Sequence, residues 1–396
     1  DYCTSSAAQA FEDLVSHIKA KYILLSYNNM ATKGNDRSNA KISDADIMRI
    51  LSRKGRVKVF SESYRAFSAG KSNITGNEER LFLCECYDSK QKELIQSPLN
   101  YTGGKYKLLP QILPHFPQDI DRFVDLFCGG GNVGINVPCN RVIFNDNNEL
   151  LRYMFGTFKN LDKQVTFETI DAIIEKYGLS NTEKYGYDFY GCNSAEGLAS
   201  YNSSRYLKLR DDFNHHTNLE YNYYVTLYVL IVYAFNNQIR FNRKGEFNLP
   251  VGKRDFNKKM REKLSTFIDR LKSGDYSFAS HDFRELPTDD WNENTFVYAD
   301  PPYLITCATY NEQDGWNEML EKELLTYLDN LNERGIRFAL SNVLHSKGKE
   351  NKILLDWIDR NIDRYRVIYL DYNYANSNYQ TKDKTSKAEE VLIVNY

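Results

Sequence analysis

Hydrophobic residues along this 396-residue chain fall into two patterns. Short apolar runs closed by Gly, Pro, Asn or Asp read as strands, and apolar residues spaced three and four apart read as helices. At the N-terminal end the pattern predicts a helix over 11–19, a strand over 21–29, a helix over 44–51, and strands over 57–60 and 80–84. Near the other end it predicts a strand over 337–342, a helix, and strands over 367–370 and 390–393. Val57 and Leu81 are 24 positions apart, and so are Val367 and Val391. Residues 1–90 are therefore expected to repeat the C-terminal segment.

Between these ends lie strands over 123–127, 141–145, 276–280 and 295–299, with helices over 148–158 and 317–331. Alternation of this kind predicts an α/β fold, a Rossmann-like sheet with helices on both faces. From about residue 150 to 275 the register changes. A helix over 168–177 leads into the tyrosine-rich segment 219–235, followed by residues 238–248, which read as a β-hairpin turning at Lys244-Gly245. The expected organisation is a catalytic domain of residues 96–160 and 276–396, interrupted by a mainly helical insertion, residues 161–275.

Composition narrows the classes. With 26% charged residues and a net charge of −2, the chain is no uniformly basic coat for nucleic acid. A DNA-binding face must be local, and one is present: between Asn236 and Glu262 eight bases stand against three acids, an excess of five. The 30 tyrosines supply faces for stacking on bases. Seven cysteines, without disulfide or metal-ligand spacing, read as reduced thiols of a cytoplasmic protein that binds no metal. The longest apolar run, residues 225–235, is half the roughly 20 residues a membrane helix needs. No signal peptide is evident, and the absent initiator Met is expected of a fragment or a processed chain.

Candidate chemistry gathers at the ends of the predicted strands. The run Thr295–Ala299 is stopped by Asp300-Pro301-Pro302-Tyr303, since two prolines cannot continue a ladder. One acid, one carbonyl outside the ladder and one ring suit a flat heterocycle with an exocyclic amine. After the 123–127 strand comes Cys128-Gly129-Gly130-Gly131-Asn132-Val133-Gly134, and the next strand delivers Asp146, suited to ribose hydroxyls. Gly129, Gly131 and Gly134 match a dinucleotide-binding fingerprint. A NAD-dependent Rossmann dehydrogenase therefore stays open beside other ribose binders. Gly103-Gly104-Lys105 is a glycine turn with a mobile cation, and Asp282-Phe283 offers an acid and a ring to an adenine. The hairpin interleaves Arg240, Arg243 and Lys244 with Phe and Asn, as a DNA reader would.

Taken in order, five motifs resemble the DNA adenine methylase (Dam) family of S-adenosylmethionine-dependent methyltransferases. They are Tyr101-Thr-Gly-Gly-Lys105, Asp125-Leu-Phe-Cys-Gly129, Asp146, the hairpin from Arg240 to Pro250, and Asp300-Pro-Pro-Tyr303. The resemblance covers about residues 96–396; Tyr101, where relatives often carry Trp, and the triple glycine depart from it. It implies methyl transfer to the N6 amine of an adenine flipped out of double-stranded DNA. In that reading Asp300, Pro301, Pro302 and Tyr303 form the catalytic loop. Tyr101, Lys105, Asp125, Phe127, Gly129, Asp146, Asp282, Phe283 and Asp300 hold S-adenosylmethionine. Asn237, Arg240, Asn242, Arg243, Lys244, Asn248 and Lys253 contact DNA. Residues 1–90 resemble the tail of a preceding methyltransferase domain, as in tandem type IIS modification methylases. The resemblance thus implies a restriction-modification setting, with an upstream domain or a cognate endonuclease as partner. The dehydrogenase alternative leaves Asp300–Tyr303 unused. A non-catalytic DNA-binding protein would not need Asp300, and RNA or cytosine are nearer rival substrates.

Overall fold

The computed structural model describes residues 7–18, 20–28, 42–52, 54–63, 78–86, 94–101, 103–192, 196–215, 220–306, 315–370 and 388–396. The chain divides into two units, residues 1–93 with 110–115, and residues 94–109 with 116–396.

In the first unit, α1 (Ala7–His17) and α2 (Asp44–Ser52) accompany β1 (Tyr22–Asn28), β2 (Gly55–Ser63) and β3 (Glu78–Cys86). The last strand lies centrally and antiparallel to both others, giving the order β1-β3-β2. Helix α1 buries Ala7, Phe11 and Val15, one face at a spacing of four, and α2 buries Ile47, Ile50 and Leu51. These share one core with Ile23, Ile42, Phe82 and Cys84. Ser43 opens α2: its hydroxyl accepts from the Asp46 amide at 3.1 Å and donates to the Asp46 carboxylate at 2.7 Å. Strand β2 outruns the predicted 57–60 because Ser61 and Glu62 are polar and exposed, and solvent-facing strand positions give no apolar signal.

After Gly103-Gly104 the chain forms 3-10 turns at Tyr106–Leu108 and Leu113–His115 around the short helix α3 (Leu109–Ile112). Pro110 and Pro114 lack the donors a longer helix would use.

The second unit carries β4 (Arg122–Asp125), β5 (Arg141–Asn145), α4 (Glu149–Asn160), α5 (Lys163–Tyr177), α6 (Thr182–Tyr185), α7 (Ala199–Asn214), α8 (Tyr221–Tyr233) and α9 (Lys258–Ser273). There follow β6 (Asp275–Ala279), β7 (Thr295–Ala299), α10 (Glu318–Glu333), β8 (Arg337–Ser346), β9 (Lys349–Glu350), α11 (Lys352–Arg360), β10 (Arg366–Leu370) and β11 (Glu389–Val394). Its sheet runs β10-β11-β8-β7-β4-β5-β6, with β9 paired to β8. Strands β6, β5, β4, β7 and β8 are mutually parallel, and β11 runs antiparallel between β8 and β10. Every residue of β7 is buried, as its uninterrupted apolar sequence requires of a central parallel strand. From β4 the chain winds outward through β5 and β6, then returns to β7 on the other side. The β4–β7 boundary is therefore the switch point, where open α/β sheets bind ligands at the carboxyl ends of their strands.

Helices α5 to α9 fill the interval between the first crossover helix and β6. Helix α8 is buried continuously from Leu227 to Tyr233, so it forms the centre of this helical insertion rather than an amphipathic face. The segment strand–helix–strand–strand, with the last strand central and antiparallel, occurs as β1-α2-β2-β3 and again as β8-α11-β10-β11. Among the described residues no helix is long and apolar enough to cross a membrane, and no group of His, Cys, Asp and Glu could hold a metal ion.

Candidate active site

The glycine loop leaves β4 with its geometry fixed from three sides. Asp125 is buried, and its Oδ2 accepts the Gly134 amide at 3.0 Å. Burial pushes this carboxyl up to about 8, with the nearby charges of Asp300 and Asp146 adding to the rise. Asp146, at the end of β5, accepts the Gly129 amide at 2.9 Å and the Asn148 amide at 3.0 Å. Burial raises its proton affinity, and those two amides oppose the rise. The glycines are demanded by neighbouring rings. A Cβ on Gly129, whose φ is +47°, would lie 2.7 Å from the ring of Tyr101, and one on Gly134 would run into Phe144. Tyr101 thus covers the loop; the charge of Asp146, followed by burial, holds its phenol well above the usual range.

Asparagines that no motif announces complete this frame. The Asn145 amide donates to the carbonyls of Leu126 and His281, both at 3.0 Å, and its Oδ1 accepts the His281 amide at 3.0 Å. It ties the ends of β4, β5 and β6 together. Asn132 accepts the Ser97 amide at 3.0 Å, and Asn136 exchanges two 2.8 Å bonds with Ile95. The segment leading to Tyr101 is thereby laid along the glycine loop.

At the end of β7, Asp300 lies across the switch point from this loop. The Lys105 ammonium, almost wholly buried, lies 2.9 Å from its Oδ2 and donates to the Gly103 carbonyl at 2.8 Å. The Tyr303 hydroxyl is 3.1 Å from Oδ1 of Asp300, and the Tyr303 ring has Lys105 4.8 Å from its centre. Burial pushes the Asp300 carboxyl up; Lys105 opposes that, while Glu390 adds to it. Glu390, on β11, went unnoticed in the sequence. It is fully buried, accepts from Tyr303 at 3.0 Å and lies 3.7 Å from Lys105. An acid opening an apolar strand looks like a solvated edge, so only the fold exposes its role.

An aromatic cluster flanks the same strand ends. Phe127 packs 5.7 Å from Phe283, and Trp316 lies 5.6 Å from Phe127 and 6.1 Å from Phe283. Trp316 Nε1 donates to buried Glu321 at 2.6 Å, and Glu321 also accepts from Asn342 at 3.1 Å and Asn351 at 2.8 Å. Asp282 is clamped in two-pronged fashion by Arg284, at 2.7 and 2.9 Å, and this holds its carboxyl below the usual range. A cleft of about 560 Å³ lined by Tyr153, Tyr224 and Phe278 shares no residue with this constellation.

The hairpin stands on a firm base. Phe241 bridges Phe247, and Gly245, with φ +77°, closes a turn whose amide donates to the Asn242 carbonyl at 2.9 Å. The Asn242 side chain accepts from Lys244 and Glu246 amides. Arg240 donates to Asn248 at 2.8 Å, and Asn214 on α7 exchanges bonds with Phe247. Arg243, Lys244 and Lys253 are exposed. Asn237, by contrast, is buried. It adopts a left-handed φ of +53°, accepts from Asn100 at 3.0 Å and donates to carbonyls of Ile231 and Val232. Its side chain therefore joins the hairpin root to the extended segment before Tyr101.

A glycine loop and an Asp-Pro-Pro-Tyr loop facing one another across the switch point, with a basic hairpin in the intervening insertion, match a known class. Residues 101–382 fit the model of the D12 class N6 adenine-specific DNA methyltransferases, and the chain belongs to that family. Over its whole length it is 38% identical to Modification methylase StsI of Streptococcus sanguinis and 33% identical to Type II methyltransferase M.FokI of Planomicrobium okeanokoites. It spans 59% of the length of each. Similarity to the DNA adenine methylase of Escherichia coli K12 is 28% identity over 62% of this chain and 79% of that protein. Membership of this family, and not the glycine fingerprint, separates the chain from the dehydrogenases.

Proposed function

We propose that this chain transfers a methyl group from S-adenosylmethionine to the N6 amine of adenine in double-stranded DNA. The observation that carries the reading is Asp300, held at the switch point by Lys105 and Tyr303 and followed in the chain by Pro301. The adenine amine is a poor nucleophile, its lone pair delocalised into the ring. Two acceptors, the Asp300 carboxylate and the Pro301 carbonyl, would accept hydrogen bonds from its two N–H groups and direct the lone pair outward. As an N–CH3 bond replaces S–CH3 and leaves a neutral thioether, the surplus amine proton would pass to the Asp300 carboxylate or to solvent. Positioning and electrostatics then supply the acceleration, without a covalent nucleophile. Extruding the base from the duplex costs roughly a few kcal/mol. Since Lys105 occupies one face of Tyr303, a base would stack on the other.

The residues present fit the cofactor. Asp146 suits ribose hydroxyls, Phe127 and Phe283 an adenine ring, and Asp282 its amine, while Asp125 orders the glycine loop. When bound, the cofactor supplies an electrophilic methyl on a cationic sulfur, and a site rich in acids complements that charge. Lys105, engaged by Asp300, serves the acceptor loop rather than a carboxylate of the cofactor. On the DNA side, Arg243, Lys244 and Lys253 are free to meet phosphates or bases. Arg240, Asn242 and Asn248 shape the hairpin, and Asn237 anchors it. By analogy with the modification methylases, the setting is a cytoplasmic restriction-modification system.

The test is transfer of tritiated methyl to DNA from a methylation-deficient host, followed by digestion and chromatography of nucleosides. Label in N6-methyladenine is expected, and Asp300→Ala should abolish it while cofactor and DNA binding persist within about tenfold. Label in N4-methylcytosine, or an active Asp300→Ala variant, would sink the reading. Residues 1–93 we read as a non-catalytic copy of the C-terminal segment: the topology recurs, but neither the glycine loop nor Asp-Pro-Pro-Tyr does. Calorimetry on the whole chain should then find one equivalent of cofactor bound, and two equivalents would overturn this.

A further inference from the structure

Glu390 lies on β11 opposite Val343 and Leu370, immediately after a register shift between Glu389 and Glu390. Irregularities of this kind re-aim side chains beside active sites. A fully buried carboxylate is costly unless charges and hydrogen bonds compensate it. Tyr303 of the acceptor loop and Lys105 of the glycine turn contribute to that compensation. Tyr303 lies 3.0 Å and Lys105 3.7 Å from Oε1. The same two groups hold Asp300, Lys105 at Oδ2 and Tyr303 at Oδ1. A phenol carries one hydrogen and donates it to only one carboxylate at a time. Glu390 and Asp300 therefore share both a donor and a cation.

We infer that Glu390 is a positioning residue for methyl transfer, acting through Tyr303 and Lys105 to orient the Asp300 carboxylate. The inference rests on the reading of Asp300 as the acceptor of the adenine amine. The groups facing this cluster are Lys105 from the glycine turn, Asp300 and Tyr303 from the loop after β7, Tyr298 from β7, and Asp125 from the end of β4, whose charge couples to Asp300. The Tyr298 hydroxyl is tied to Ser341 at 2.8 Å. The signs of their influences differ. The charge of Glu390 raises the proton affinity of Asp300, whereas the Tyr303 hydrogen bond lowers it. Removing the charge in Glu390→Gln should move the acid limb of the pH–rate profile to lower pH. Removing the hydroxyl in Tyr303→Phe should move it to higher pH.

The experiment measures single-turnover methyl transfer to unmethylated phage DNA across the acid-to-neutral range, with cofactor affinity by calorimetry. Plateau rates of Glu390→Gln and Tyr303→Phe should fall about 10–100-fold with S-adenosylmethionine affinity within about threefold, and the double variant should be little worse than either. Glu390→Asp should recover part of the rate. A wild-type plateau and acid limb in Glu390→Gln would overturn the inference, as would limbs that shift the same way in both variants. Should Glu390→Gln not fold, Tyr303→Phe still decides, and an unmoved limb there counts against it. A wild-type chain that transfers no methyl removes the acceptor reading and this inference with it. An active wild type, an inert Asp300→Ala and an unaffected Glu390→Gln remove this inference alone.

Discussion

The Lys105 ammonium lies 2.9 Å from Oδ2 of Asp300, and both groups are withdrawn from solvent. Lys105 also faces a second acid, the fully buried Glu390, 3.7 Å away. Replacing the lysine by the apolar Lys105→Met keeps the volume and removes the cation that both carboxylates face. Breaking a buried pair in this way costs about 3–5 kcal/mol. Denaturant unfolding should show a loss of that order. Because Lys105 holds the Asp300 carboxyl down, the variant's residual methyl transfer should also have its acid limb at higher pH. Wild-type stability in Lys105→Met would mean that the acids are satisfied by other groups.

Asp125 gives a stability prediction with a definite pH window. Its folded pKa, about 8, lies above the roughly 3.9 of an unfolded aspartate. A raised acid favours folding fully below the unfolded value, and that contribution is lost as pH rises from about 4 to about 8. Asp125→Asn keeps an oxygen for the Gly134 amide and removes the titration. Its melting temperature should exceed that of the wild type above about pH 8, with the gap narrowing as pH falls towards 4. A gap that is constant with pH would show that Asp125 is not held protonated.

Most of this frame was legible in the sequence, for stated reasons. Strands β5 and β7 were read to the residue because apolar β-branched and aromatic runs ended at an acid. Asp146 and Asp300 were legible because each follows such a strand, and Asp125 because its strand runs into the glycine loop. Glu390, Glu321 and Asn145 were not. A buried polar residue leaves no local signal, since its partners come from distant elements: Glu390 meets Tyr303 and Lys105, and Glu321 meets Asn351 and Trp316. The hairpin was read correctly as a turn, but sequence counted Arg240 and Asn248 as free DNA contacts. The structure spends them partly on each other.

That division within the hairpin can be measured. Arg243 and Lys244 are exposed at the turn, whereas Arg240 braces it. Replacing Arg243 and Lys244 by Ala should weaken DNA binding and lower the slope of log affinity against log salt by about 0.9 for each lost phosphate contact. Arg240→Ala should instead disturb the turn, reducing discrimination between DNA sequences more than it changes the salt slope. Cofactor affinity should stay unchanged in both variants. Equal salt slopes for the wild type and the Arg243, Lys244 variant would move the DNA contacts elsewhere in the insertion.

Trp316 supplies a direct optical test of where the cofactor sits. Of the three tryptophans, Trp291 and Trp357 are buried in the core beside the sheet, and Trp357 is tied to Asp329. Trp316 instead stands edge-on to Phe127 and near Phe283, the rings expected to bracket the cofactor's adenine. Its indole is fixed by Glu321, so it cannot turn away freely. Adding S-adenosylmethionine should therefore change the intrinsic fluorescence, and Trp316→Phe should remove most of that change while Trp357→Phe keeps it. Glu321→Ala would leave the indole N–H and two buried asparagine amides without their acceptor. Each unsatisfied group costs about 1–3 kcal/mol, so this variant should lose stability and bind the cofactor more weakly. A full fluorescence response in Trp316→Phe would place the cofactor away from the Phe127–Phe283 cluster and require another assignment for Asp282.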